Sequence, residues 1–122
     1  MKVLLSIKPE FADKIFSGEK KYEFRRVIFK NKEVTKVVVY VSSPVQKVVG
    51  EFEIEAILTD EIHALWEQTK KYAGISDTYF YDYFSDKEKG HAIQIKKTRK
   101  YKKPLCIKKD FDLLPPQSFL YL

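Results

Sequence analysis

Apolar positions change period several times along this chain, and each change predicts an element. Val3 to Ile7 is a short apolar run followed by a turn signal, which predicts a buried strand. Pro9 then suits the first position of a helix, where its missing N–H costs nothing, and Glu10 complements the positive helix end. Phe11, Ala12, Ile15 and Phe16 recur at helical spacing, and Gly18 stands where a left-handed terminating residue is wanted. Lys8 would lie beside the helix N-terminus, where backbone N–H groups favour an anion. From Tyr22 the period drops to two. Tyr22 and Phe24 share one face of a strand, while Glu23 and Arg25 project together from the other. Lys20 has the wrong parity to join that pair by strand geometry, so it must sit in the turn or at a bulge if the three are to converge.

Lys36 to Val41 is a continuous β-branched and aromatic run, as expected of a strand covered on both faces, and Ser42-Ser43-Pro44 ends it. The clearest strand follows. Val48, Gly50, Phe52, Ile54, Ala56 and Leu58 alternate with Val49, Glu51, Glu53, Glu55 and Ile57, giving one apolar and one mostly acidic face, with Gly50 marking a bulge or bend. Asp60 is the expected N-cap of a helix carrying Ile62, Leu65, Trp66, Thr69 and Ala73, with Gly74 as its stop. Ser76 or Asp77 caps a second, shorter helix from Thr78 to Phe84 that is aromatic nearly all round. Most of it should be core, although a tyrosine on its rim has the shape to stack on a base. His91 to Ile95 predicts a strand running into a basic segment, and Leu105-Cys106-Ile107 reads as a further short strand after Pro104. The tail from Leu113 is too apolar to hang free and should dock on the core.

These elements make an α+β protein, and 122 residues fit one domain, 1–122, with a single core. A small, strongly bent β-barrel with helices over its ends is the expected closure. The absence of 18 consecutive apolar residues argues against a membrane span, and the N-terminal apolar stretch is too short for a signal peptide. One cysteine permits no internal disulfide, so the reading is a cytoplasmic protein.

Charge adds a direction. Of 23 Lys and Arg residues, eight lie between Lys96 and Lys109 without an acid until Asp110, leaving 15 cations against 17 acids elsewhere. A field concentrated on one segment attracts polyanions, which points to nucleic acid; the plainer alternative is an edge strand carrying lysines against aggregation. His63 and His91 are isolated and no closely spaced ligand set matches a metal site, so no metal or cofactor is expected. Cys106, flanked by apolar residues, reads as core rather than nucleophile.

The densest chemistry is Gly18-x-Lys20-x-x-Glu23-x-Arg25 at the helix-to-strand turn. This spelling resembles the GxKxxExR signature of the ASCH (activating signal cointegrator homology) domain, a relative of the PUA RNA-binding domain. The likeness takes in Ser6-Ile7-Lys8-Pro9, the Ser43-Pro44 turn, Gly50-Glu51-Phe52, Gly90-His91-Ala92-Ile93 and the Pro115-Pro116 tail. It implies a PUA-like β-barrel with one N-terminal helix and a middle helix pair, and a cleft between barrel and first helix that binds RNA. A related branch removes the acyl group from acetylated cytidine with a motif lysine and threonine. Lys20 matches that lysine, but Glu23 stands at the threonine's position.

The leading reading is an RNA-binding module without catalysis. Lys8, Lys20, Glu23, Arg25, Arg26, Ser42 and Ser43 contact an RNA nucleotide, and Lys96, Lys97, Arg99, Lys100, Lys102 and Lys103 hold the RNA backbone. Lys20 offers a point charge, Arg25 a planar fork, and Glu23 an acceptor for a base edge. The second reading is a small amidohydrolase on an acylated nucleoside, using Lys20 and Glu23. The third is a protein-interaction module presenting Glu51, Glu53 and Glu55. A nuclease is a further possibility, although the chain offers neither a metal set nor a histidine pair to drive one.

Overall fold

A computed structural model describes all residues, 1–122. In chain order the elements are β1 (Lys2–Ile7), α1 (Pro9–Ser17), β2 (Tyr22–Arg25), β3 (Lys36–Val41), β4 (Lys47–Glu61), α2 (Ile62–Thr69), a 3-10 turn (Lys70–Tyr72), α3 (Asp77–Tyr83), β5 (Lys89–Leu105), α4 (Ile107–Phe111) and β6 (Phe119–Tyr121). The strands form one sheet in the order β2-β5-β4-β3-β1-β6. β1 runs parallel to β3, and every other neighbouring pair is antiparallel. The expected closed barrel is instead a curled half-barrel, whose terminal strands β2 and β6 do not bond to each other. Its curl is tight enough that Arg25 Nη2, on β2, donates to Ser6 O on β1 at 2.8 Å, although three strands intervene in the sheet.

Both long apolar runs are covered on two faces, as their composition requires. Val3, Leu5 and Ile7 of β1 and Val37, Val39 and Val41 of β3 point into a core shared with Ala12 and Ile15 of α1. The alternate residues Leu4, Val38 and Tyr40 pack on the opposite face with Ile107, Phe111 and Leu113. A third cluster joins Phe24 and Ala92 to Leu65, Phe80 and Phe84 of the helix pair. β4 and β5 are long enough to serve all three clusters because bulges bend them, at Val48/Gly50 and on either side of Ile54.

Three local expectations change. Glu61, rather than Asp60, caps α2, accepting from the N–H groups of His63 and Ala64. The apolar run Leu105-Cys106-Ile107 is not a separate strand: β5 continues through Pro104 to Leu105, and Ile107 opens α4, with Asp110 Oδ2 accepting from the Cys106 N–H at 2.7 Å. Third, the acidic face of β4 is not a free row. Glu51 is 4% exposed, paired with Lys2 at 3.0 Å and close to Arg99 at 2.6 Å. Burial opposes its charge, but the Arg99 and Lys2 hydrogen bonds outweigh that, holding its carboxyl below the usual range. The row offered to a protein partner therefore loses Glu51. The tail does dock, as β6 pairs with β1 and Ser6 Oγ donates to Pro116 O at 2.8 Å. No helix is long and apolar enough to cross a membrane.

Candidate functional site

Gly18, at φ 89°, ends α1 and turns the chain into β2, the terminal strand of the sheet, which carries Glu23 and Arg25. Lys20 lies in the turn between them, as its parity demands, with its N–H donating to Lys14 O at 3.0 Å. It does not reach solvent. The residue is 2% exposed and ranks with Phe52, Phe80 and Phe84 among the largest buried side chains of the protein. The ammonium donates to Ala73 O at 2.7 Å and lies 4.8 Å from the Phe24 ring centre and 5.2 Å from that of Phe11. Burial pulls its pKa down to about 8, against the attraction of Glu23, which raises it.

Gly74 makes room for this lysine. At φ 70° it adopts a backbone conformation that favours glycine, and a Cβ there would lie 2.6 Å from Lys20 Cβ and Cγ, atoms that cannot swing aside. Gly74→Ala should therefore cost about 2–4 kcal/mol from strain and overpacking together. Denaturant unfolding checks this; a loss below about 1 kcal/mol would show that the turn relaxes.

Glu23 and Arg25 form a buried pair, Nη2 to Oε2 at 2.9 Å, with side chains 8% and 12% exposed. The same Nη2 also serves Ser6 O, whereas Nε is buried without any partner. These groups line a pocket of about 130 Å³ together with Ile7, Lys8, Phe11, Phe24, Ile75, Tyr79 and Tyr83. Lys8, exposed at the start of α1, donates to Tyr79 Oη at 3.2 Å. Lys8, Lys20 and Arg25 face a single carboxylate, so the pocket favours a neutral or anionic guest.

The structure thus brings together Lys8, Lys20, Glu23 and Arg25. It does not bring in Arg26, which instead clamps the end of α3 by donating to Tyr83 O, Ser85 O and Asp86 Oδ1. Ser42 and Ser43 stand in the turn after β3, outside the pocket lining. The basic residues from Lys96 to Lys103 lie on β5, with no strand paired to them on the side away from β4. None lines the pocket. Glu23 pairs with Ile93, so Lys96 begins about 10 Å further along β5 and Lys103 about 33 Å. Arg99 is partly engaged by Glu51 and Tyr101, leaving the lysines as the free charges.

Sequence reasoning missed Ser6, Phe11 and Ile75, and did not choose among the tyrosines of α3. The signal for the latter was present. Tyr79 and Tyr83 are four residues apart and so share a helix face, distinct from the one on which Phe80 and Phe84 enter the core.

The ASCH domain model matches residues 5–104 of the 122. The large ribosomal subunit protein uL22 of Ureaplasma parvum is 35% identical over 98% of this chain, which spans only 39% of that relative's length. An ASCH domain-containing ribonuclease of Zymomonas mobilis is 34% identical over 76% of this chain and 63% of the relative. The crystal structure of ASCH from Zymomonas mobilis superposes with a TM-score of 0.91 at 31% identity, covering 99% of this chain and 87% of that one. With the family match running from β1 to the end of β5 and the fold shared throughout, this chain belongs to the ASCH domain family.

Proposed function

We propose that this chain binds single-stranded RNA, taking one unpaired nucleotide into the pocket of Lys20, Glu23 and Arg25 while the lysines of β5 hold neighbouring phosphates. The observation that carries this is the pair of unspent donors beneath an aromatic-walled opening. Lys20 is buried with one of its three N–H groups engaged by Ala73 O, and Arg25 Nε is buried with no partner. Burying such groups destabilises a fold, and they make sense where a ligand completes them. The relative named as a ribonuclease supports RNA as the polymer.

The test is binding of short single-stranded RNAs as a function of salt. Single strands lose about 0.7 in the slope of log K against log salt for each phosphate contact removed. Replacing Lys96, Lys100, Lys102 and Lys103 together by glutamine should therefore flatten the slope by up to about 3. Undetectable affinity of the parent protein at low salt, or affinity that survives loss of both Lys20 and Arg25, would overturn the proposal.

One observation favours chemistry on the held nucleotide. A lysine brought to about 8 beside a carboxylate is suited to proton transfer near neutral pH. The ribonuclease relative brings strand cleavage back into the reading, with Lys20 as base in place of metal or histidine. Acyl removal from a modified nucleoside would use the same lysine, with Glu23 where that branch has its threonine. Incubating RNA and acetylcytidine side by side with the protein separates the two.

A further inference from the structure

Of the aromatic side chains on α3, Phe80 and Phe84 are 0% and 2% exposed and belong wholly to the core. Tyr79 and Tyr83 face the pocket instead. Their rings lie nearly parallel, 14° apart, with centres separated by 6.4 Å. Both hydroxyls are already engaged: Tyr83 donates to Phe24 O at 3.2 Å, and Tyr79 accepts from Lys8. Burial also pushes the Tyr83 phenol up, away from any role as a phenolate base. What the two tyrosines present to a guest is therefore ring surface rather than hydroxyl chemistry. The same pocket holds Glu23 and the unpartnered Nε of Arg25, an acceptor and a donor that suit the polar edge of a planar ring. A caged alkylammonium is the other guest that aromatic walls favour, but three fixed cations exclude it here.

We propose that Tyr79 and Tyr83 form a stacking wall, so that the pocket takes the nucleobase itself and leaves the phosphate outside beside Lys8. This rests on the RNA reading and sharpens it: the recognised group is an unpaired, splayed-out base rather than a phosphate. The core phenylalanines give α3 a fixed position, and Arg26 locks its end by holding the Tyr83 and Ser85 carbonyls. The wall is thus rigid before anything binds, which limits the entropy lost on binding.

The experiment compares the parent with Tyr79→Leu, Tyr83→Leu, Tyr79→Phe and Tyr83→Phe, using a labelled single-stranded RNA and a matched oligonucleotide abasic at every position. Each leucine variant should weaken RNA binding roughly 5- to 150-fold, because stacking is lost. Each phenylalanine variant keeps the ring and should bind within about twofold of the parent. The salt slope should stay unchanged throughout, since no phosphate contact is removed. The abasic strand should bind the parent weakly and be indifferent to all four changes. If the leucine variants bind as the parent does, if the phenylalanine variants lose as much as the leucine ones, or if the parent holds the abasic strand equally well, the stacking wall is overturned while RNA binding stands. Failure of the parent to bind any RNA overturns both readings. Melting temperatures of the variants separate lost stacking from lost folding, and the phenylalanine pair supplies the comparison should a leucine variant unfold.

Discussion

Replacing Lys20 by methionine is expected to leave the protein at least as stable at pH 7 while weakening RNA binding more than tenfold and abolishing any chemistry on the bound nucleotide. Methionine is close to lysine in length and fills the same slot between Phe11 and Phe24. What it removes is the cost of burying a charge. The folded chain holds Lys20 down to about 8, through burial first, whereas the unfolded chain titrates it at 10.5. Below pH 8 both states are charged, and the folded state carries the whole penalty. Between 8 and 10.5 the unfolded state binds a proton that the folded state has released, so stability rises with pH; above 10.5 the penalty is gone. That interval corresponds to about 3 kcal/mol. Against this, the variant leaves Ala73 O without its donor, costing about 1–3 kcal/mol. Denaturant unfolding of both proteins from pH 7 to 10 cancels the tyrosines common to each. The parent should gain about 2.5 kcal/mol relative to the variant over that range, and any strand cleavage or acyl removal by the parent should rise with pH through about 8. A variant several kcal/mol less stable at pH 7, or one with the same pH profile, would make Lys20 a structural residue.

That lysine also marks the limit of what local sequence makes legible. Gly18 as a helix stop, the two faces of β2, and the doubly covered β3 follow from periodicity and from residue types that admit few alternatives. Those rules act over a few residues. The burial of Lys20 depends on Ala73 and Gly74, more than fifty residues later, and a charged side chain in a turn otherwise reads as surface. Glu51 is the same case in a strand. Alternation sets it opposite Phe52, but Lys2 and Arg99, which make its burial tolerable, come from other strands. Arg25 and Arg26 are adjacent, yet their partners differ: Arg25 reaches β1, whereas Arg26 ties down the end of α3 and the residues after it. The start of α4 was readable in principle, since Asp110 is placed to reach back to the Cys106 N–H, but apolar residues on both sides of Cys106 gave the stronger impression of a strand. Tertiary pairing, rather than propensity, decided each of these.

Arg25→Leu should be the most damaging single change at the site, lowering stability by about 3–5 kcal/mol. The reason lies in what is left behind. Glu23, 6% exposed, would keep its carboxylate with its cationic partner at 2.9 Å gone, and an uncompensated buried charge costs far more than an intact pair contributes. Ser6 O would lose its donor at the same time, and with it a link between the β2 end of the sheet and β1. Adding Glu23→Gln to Arg25→Leu removes the stranded charge while keeping the shape, so the double variant should recover much of the loss. The two substitutions are therefore strongly non-additive in stability. Binding should behave otherwise. Neither Arg25→Leu nor the double variant retains the guanidinium donor, and both should lose RNA affinity whatever their stability. Unfolding free energies and RNA affinities measured on the parent, both single variants and the double variant separate these outcomes. If stability and affinity recover together in the double variant, Arg25 serves only to neutralise Glu23; if affinity stays lost while the fold returns, the guanidinium is a contact for the ligand.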